Sequence, residues 1–265
     1  MPWLGFVSVL VVIMLASPVA AVDLTRCRMV AQKTATLVEF EARRHDGQAI
    51  TLNGVLAKPP GVGPFPAVVM LHGSSGLLTP FCYAAVAEQF VARGLVVLLP
   101  ASTTARSPDG TLHLDYSFLD QIAYARAAAT ALSARDDVDP DRLGLWGHSR
   151  GGLTVLHGVA SREAPLSPLF RTAIAAAPTC PATVAPPAIP VLLVIGANDR
   201  DISVQACTDA AKKLATTDRF RLLLLPDSGH AFWAAKAPGS NERDAARARK
   251  TIDGFLARHL SSSDP

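Results

Sequence analysis

The chain has 265 residues, of which 49% are hydrophobic and 18% charged, with a formal net charge of +3. That balance excludes a disordered polymer. Without a basic cluster it also argues against nucleic acid or an anionic membrane surface as a partner. The length suits a single domain with a large buried core.

Residues 1–21 stand apart. From Trp3 to Ala16 the chain is nearly all apolar, and Ser17-Pro18-Val19-Ala20-Ala21 follows before the first charge at Asp23. Small residues at Val19 and Ala21 suit a signal-peptidase site, which predicts cleavage after Ala21 and an exported protein, periplasmic or secreted. A retained anchor is the competing reading, because the n-region carries no Lys or Arg and the apolar run nearly spans a bilayer. Residues 22–265 are then one domain, with no stable membrane partner if the leader is removed. The four cysteines, Cys27, Cys82, Cys180 and Cys207, form no CxxC or Cys/His metal pattern, so disulfides are expected. Spacing alone leaves all three pairings open.

Residues 34–44 and 49–58 read as strands joined by the turn His45-Asp46-Gly47-Gln48. Residues 66–71 are wholly apolar, as a strand buried on both faces should be. They end in the loop His72-Gly73-Ser74-Ser75-Gly76. A helix is predicted over 83–93, stopped by Gly94, then a strand over 95–99. Residues 101–114 look irregular, and 115–134 are helical. A short strand over 142–146 leads into Gly147-His148-Ser149-Arg150-Gly151 and a helix. Further strands are predicted at 172–177, 191–195 and 220–225, with helices at 203–215 and 242–259. About eight strands alternating with helices imply a mostly parallel sheet covered on both faces. In such sheets the reactive groups gather beyond the carboxyl ends of the strands.

Gly147-His148-Ser149-Arg150-Gly151 is a G-x-S-x-G pattern between strand and helix, the context of a nucleophile elbow. The sharp turn pushes the serine Oγ out beside a helix N-terminus. A serine hydroxyl needs a base within hydrogen-bond reach, and His230, in Pro226-Asp227-Ser228-Gly229-His230 after the last strand, is the best candidate. His148 should point away from the site. One oxyanion donor is expected to be the N–H of Arg150, the residue after the nucleophile. The other is the N–H of Ser74, with Ser75 as the fallback. The Arg150 side chain is read as solvated. No phosphate loop, paired-carboxylate site or nicotinamide fingerprint is present, and no cofactor or metal is implied.

The element order, the His72-Gly73 loop, the Ser149 elbow, Asp199 after Gly196 and His230 after Gly229 resemble the α/β-hydrolase superfamily. Within it the chain is most similar to the compact dienelactone hydrolase-like group, over residues 34–260. The resemblance implies an α/β-hydrolase fold without a cap domain, and a loop that carries His230 back over the elbow. It also implies Asp199 as the acid that orients His230, with Asp201 as the alternative. Two features depart from dienelactone hydrolase itself. Ser149 replaces its cysteine nucleophile, and the loop at 72–76 has no counterpart to its thiol-controlling glutamate. The lactone substrate is therefore not carried over.

Similar exported members of the group imply the pair Cys180–Cys207, leaving Cys27–Cys82. The connection 178–190, where lidded members insert cap helices, contains Pro181, Pro186 and Pro187 and predicts no helix. The favoured reading is a serine hydrolase of small carboxylic esters acting through an acyl-enzyme. The alternatives are a peptide or amide hydrolase with the same residues, or an exported binding protein of this fold.

Overall fold

The computed structural model of the chain describes residues 35–77, 83–113, 116–160, 166–182, 185–215, 217–233 and 240–261. The leader at 1–21, Cys27 and Cys82 lie outside the described residues. Strands β1 (Ala35–Arg43) and β2 (Ala49–Ala57) form the leading antiparallel hairpin. They are joined through Gly47, whose φ of 90° falls where a side chain is disfavoured. Strands β3 (Phe65–Leu71), β4 (Val96–Pro100), β7 (Val138–His148), β8 (Thr172–Ala176), β9 (Val191–Gly196) and β10 (Phe220–Leu225) run parallel. Across the sheet the order is β10-β9-β8-β7-β3-β4-β2, with β1 also pairing β2.

Among the described residues the sheet has ten strands rather than the eight expected. The additional pair, β5 (Ala105–Arg106) and β6 (Leu112–His113), lies in the stretch read as irregular. Each is two residues long, too short to leave a period-two pattern in the sequence. β5 joins the sheet through a single pairing, Thr51 with Arg106.

Among the described residues five α-helices cover the sheet: α1 (Ala84–Ala92), α2 (Phe118–Ser133), α3 (Arg150–Ala160), α4 (Val204–Leu214) and α5 (Glu242–Leu260). β3 shows why its strand is uniformly apolar. Val68 and Met70 pack with Phe90 of α1 and Phe255 of α5 on one face. Ala67, Val69 and Leu71 pack with Ala128 of α2, Val155 of α3 and Leu214 of α4 on the other. Side chains alternate across a strand, so a strand sandwiched between two helical layers needs apolar residues at every position. The helix ends follow local chemistry. α2 begins with a capping box, in which the Ser117 side chain accepts from Asp120 N–H and the Asp120 side chain accepts from Ser117 N–H. α1 ends at Gly94, φ 82°, with Leu95 N–H donating to the Phe90 carbonyl.

The sheet register brings the reactive loops together. Leu71, the last residue of β3, pairs with Gly147 of β7, so the loop at 72–76 lies beside the Ser149 turn. From β3 the chain passes to β4 on one side, whereas β7 adds on the other. The crevice at such a reversal is where open α/β sheets bind ligands. Among the described residues of 178–190 there is no helix.

Candidate active site

Ser149 has φ 54°, a left-handed conformation that costs a non-glycine residue about 1–3 kcal/mol. Its surroundings impose the turn. Ser149 N–H donates to the Ala176 carbonyl of β8 at 2.9 Å, and its own carbonyl accepts from Leu153 N–H at 2.9 Å. The flanking glycines are steric necessities. A Cβ on Gly147 would stand 2.2 Å from the Gly151 carbonyl oxygen, and one on Gly151 would stand 2.4 Å from that of Leu71. Ser149 itself is half-buried, so solvent reaches it.

His230 follows β10, and its Nδ1–H donates to Asp199 Oδ2 at 2.8 Å. The Asp199 carboxylate is fully buried, and its Oδ1 accepts from the N–H groups of Asp201 at 2.9 Å and Ile202 at 3.3 Å. Asp201, the alternative acid, is exposed and contributes that backbone donor. With the proton held on Nδ1, the lone pair of His230 lies on Nε2, the tautomer a general base requires. Asp199, Asp201 and His230 also offer three ligand atoms within 4.8 Å of one another. Two of the side chains are already engaged in the Nδ1–Oδ2 hydrogen bond.

Two contacts hold the His230 loop, one of them from Asp244, a residue that sequence reasoning missed. Asp244, buried in the first turn of α5, accepts from Asp227 N–H at 2.8 Å and from the Ser228 hydroxyl at 3.0 Å. Gly196 lets the Asp199 and His230 loops meet, since a Cβ there would lie 2.2 Å from the Ser228 carbonyl oxygen. Asn241 caps α5 by accepting from Asp244 N–H. The Asn-x-x-Asp spacing was the available signal for Asp244.

His148 does not point away from the site as expected: it packs beside the candidate base, and its Nδ1 accepts from the Tyr83 hydroxyl at 3.0 Å. Its ring is buried, 4.7 Å from the His230 ring and 4.3 Å from that of Trp233. Burial holds its pKa well below the ordinary histidine value, so it is neutral at pH 7.

The loop at 72–76 is held on all sides. A Cβ on Gly73 would stand 3.1 Å from Ser149 Cβ, so this backbone runs directly against the nucleophile. Gly73 N–H donates to the Tyr83 hydroxyl at 2.8 Å. The Gly73 carbonyl accepts from His72 Nδ1–H at 2.8 Å, the Tyr116 hydroxyl at 2.9 Å and Gly76 N–H at 3.1 Å. His72 Nε2 accepts from Ser102 N–H at 3.0 Å, which leaves the proton on Nδ1. Burial pushes the His72 pKa down to about 4. Of the loop amides, those of Gly73 and Gly76 are engaged. Among the described residues, the N–H groups of Ser74 and Ser75 meet no acceptor.

Arg150 opens α3, and its N–H lies in the first helical turn, where no intrahelical acceptor exists. Its side chain departs from the solvated arginine expected. It is half-buried, with NH1 donating to the Tyr116 carbonyl at 2.9 Å and the guanidinium 5.1 Å from the Tyr116 ring centroid. Cys180 and Cys207 are joined in a disulfide with Cα atoms 5.1 Å apart, tying the loop after β8 to α4.

Two surface grooves lie elsewhere. One of about 1350 Å³ runs between the β1–β2 hairpin and α2, and one of about 920 Å³ between α1 and α5. Neither is lined by Ser149, Asp199 or His230.

Residues 52–260 match the dienelactone hydrolase family. No curated protein matches the sequence. Among solved structures, a Klebsiella pneumoniae protein assigned as a dienelactone hydrolase is similar at 17% identity and TM-score 0.66, over 84% of this chain and 99% of that one. A Pyrococcus furiosus esterase is similar at 16% identity and TM-score 0.63, over 85% and 94%. The Thermogutta terrifontis esterase 2, solved after phosphorylation by paraoxon, is similar at 19% identity and TM-score 0.62, over 84% and 96%. At these identities the likeness is one of fold, the α/β-hydrolase fold.

Proposed function

The chain belongs to the dienelactone hydrolase family, and on that premise we propose that it is a serine hydrolase of small carboxylic esters. The observation that carries this reading is the conformation of Ser149, a non-glycine residue at φ 54° on the strand-to-helix turn. A serine is kept in that costly conformation where its hydroxyl has chemical work.

The Asp199–His230 hydrogen bond and the Ser149 turn support the following roles. Ser149 Oγ attacks the ester carbonyl while His230 Nε2 takes its proton. The buried Asp199 carboxylate holds His230 in the required tautomer and stabilises the imidazolium that forms. The oxyanion of the tetrahedral intermediate receives the N–H groups of Arg150 and Ser74, two donors fixed before reaction. Collapse expels the alcohol, protonated by His230 Nε2–H. Water, activated by the same imidazole, then releases the acid from the acyl-enzyme.

The lack of a helix among the described residues of 178–190 supports an open cleft and short acyl groups. The Cys180–Cys207 disulfide supports export to an oxidising compartment. Paraoxon phosphorylates the structurally similar Thermogutta esterase 2, and the same reagent class should be captured at Ser149 here. The test is fluorophosphonate labelling of the purified chain with mapping of the labelled peptide, followed by initial rates on esters and amides of graded chain length. Label at Ser149 and turnover of short-chain esters are expected. Labelling elsewhere, amide turnover exceeding ester turnover, or a sharp rate rise at the solubility limit of a long-chain ester would each contradict the assignment.

A further inference from the structure

We propose that Tyr116 and Tyr83 are positioning residues for ester hydrolysis, clamping Gly73 from both sides so that the Ser74 N–H faces the oxyanion before substrate arrives. The inference rests on the ester-hydrolase reading above and concerns how its oxyanion donors are held.

The Gly73–Ser74 peptide carries the proposed donor on one side and the Gly73 carbonyl on the other. In a trans peptide these two groups point in opposite directions. Fixing the carbonyl therefore fixes the donor. The Tyr116 hydroxyl donates to that carbonyl at 2.9 Å. On the preceding peptide, the Tyr83 hydroxyl accepts Gly73 N–H at 2.8 Å. Having accepted that hydrogen bond, Tyr83 has its own O–H free to donate to His148 Nδ1 at 3.0 Å. Gly73 is thus bound through both of its backbone polar groups by phenols from two separate segments, one preceding α1 and one preceding α2. Both tyrosines are buried, so water does not replace either contact.

Tyr116 also reaches the second donor. Its carbonyl accepts from Arg150 NH1 at 2.9 Å, and its ring lies 5.1 Å from the guanidinium carbon. One residue therefore joins the Ser74 donor, through its hydroxyl, to the Arg150 residue that supplies the other. Hydrogen bonds accepted by a peptide carbonyl also polarise the peptide and strengthen its N–H as a donor. The clamp thus aims the Ser74 N–H and strengthens it, without touching the substrate.

The discriminating experiment uses the purified full chain as wild type, Tyr116→Phe and Tyr83→Phe, with p-nitrophenyl acetate as substrate. Inhibition by a trifluoromethyl ketone, which adds to the serine as a tetrahedral oxyanion, is measured in parallel. Tyr116→Phe keeps the ring and carbonyl that hold Arg150 and removes only the hydroxyl. Losing an oxyanion donor outright costs about 10²- to 10³-fold, so misaiming one should lower kcat by about 10- to 100-fold. KM should stay within about twofold, and the ketone should weaken by the same factor as kcat. A residue that merely supports the fold would lower the thermal midpoint without this match between kcat and ketone affinity.

If Tyr116→Phe fails to fold, Tyr83→Phe carries the same test from the opposite side of Gly73. Wild-type kcat in the folded variants, or a loss appearing in KM with ketone affinity unchanged, overturns the proposal. An inert wild type unlabelled at Ser149 overturns the ester-hydrolase reading and this one with it. An active wild type with unaffected tyrosine variants overturns this one alone.

Discussion

His230 donates its Nδ1–H to Asp199 at 2.8 Å, and the accepting carboxylate is fully buried while the imidazole keeps partial contact with solvent. The two groups come from different strand ends, 31 residues apart in sequence. Asp201, only two residues from Asp199, instead turns its backbone N–H onto Asp199 Oδ1. The pairing makes unequal demands on the two aspartates. Asp199→Asn should hold the wrong imidazole tautomer and lower ester kcat by about 10⁴-fold, whereas Asp201→Asn should change it less than about threefold. Steady-state rates on one short-chain ester decide this, and reversed phenotypes would reassign the acid.

Ser149→Ala and His230→Ala should each lower kcat by at least about 10⁴-fold, and the double variant should lose little more than either. Groups that act as one unit are not additive. A double variant much worse than either single variant would mean that the two residues act independently.

The two glycines 151 and 254 should respond to alanine in opposite ways. At Gly151 the new Cβ would meet the Leu71 carbonyl oxygen at 2.4 Å, a backbone atom of β3 that cannot move aside alone. Gly151→Ala should therefore cost at least about 3 kcal/mol or prevent folding. At Gly254, within α5, the Cβ would meet nothing within 4 Å. Gly254→Ala should stabilise by about 0.5–1 kcal/mol, because alanine loses less backbone entropy in a helix. Urea denaturation of both variants checks the pair.

Stability should fall in mild acid because of His72. Its native pKa of about 4 lies below the 6.5 of the unfolded chain. Above pH 6.5 neither state binds the proton, and the native advantage is complete. As pH falls from 6.5 toward 4 the unfolded chain protonates first, so stability is lost across that window. The loss from His72 by pH 4 is on the order of 3 kcal/mol. Buried His148, also depressed, acts in the same direction. Denaturant titrations between pH 7.5 and 4 should show the decline. His72→Gln, which cannot titrate, should flatten it, and an equally steep profile in that variant would place the effect elsewhere.

The Cys180–Cys207 disulfide closes a loop with a sequence separation of 27. On the chain-entropy model its removal should cost about 3–4 kcal/mol. The double variant Cys180→Ser/Cys207→Ser, compared with wild type in denaturant, should show that difference with the ester kcat nearly intact. Equal stability would mean that native strain cancels the entropic gain.

Local order determined much of this protein from sequence alone. β3, β8 and β9 are sandwiched between helical layers, and a run with apolar residues at every position signals that burial directly. The Ser149 turn was equally legible, because its glycines answer to atoms only a few residues away or on the adjoining strand. The β5–β6 hairpin was not legible, since two-residue strands carry no period.

Contacts between distant side chains were decided only by tertiary structure. Nothing in the residues around Tyr83 or Tyr116 says that their hydroxyls meet at Gly73, and nothing around Arg150 says that its guanidinium lies on a tyrosine ring instead of in water. Those contacts depend on the pairing of Leu71 with Gly147 and on how α1 and α2 pack against the sheet. Apolar periodicity specifies which face of an element is buried, but not which single hydroxyl on one element meets which backbone group on another.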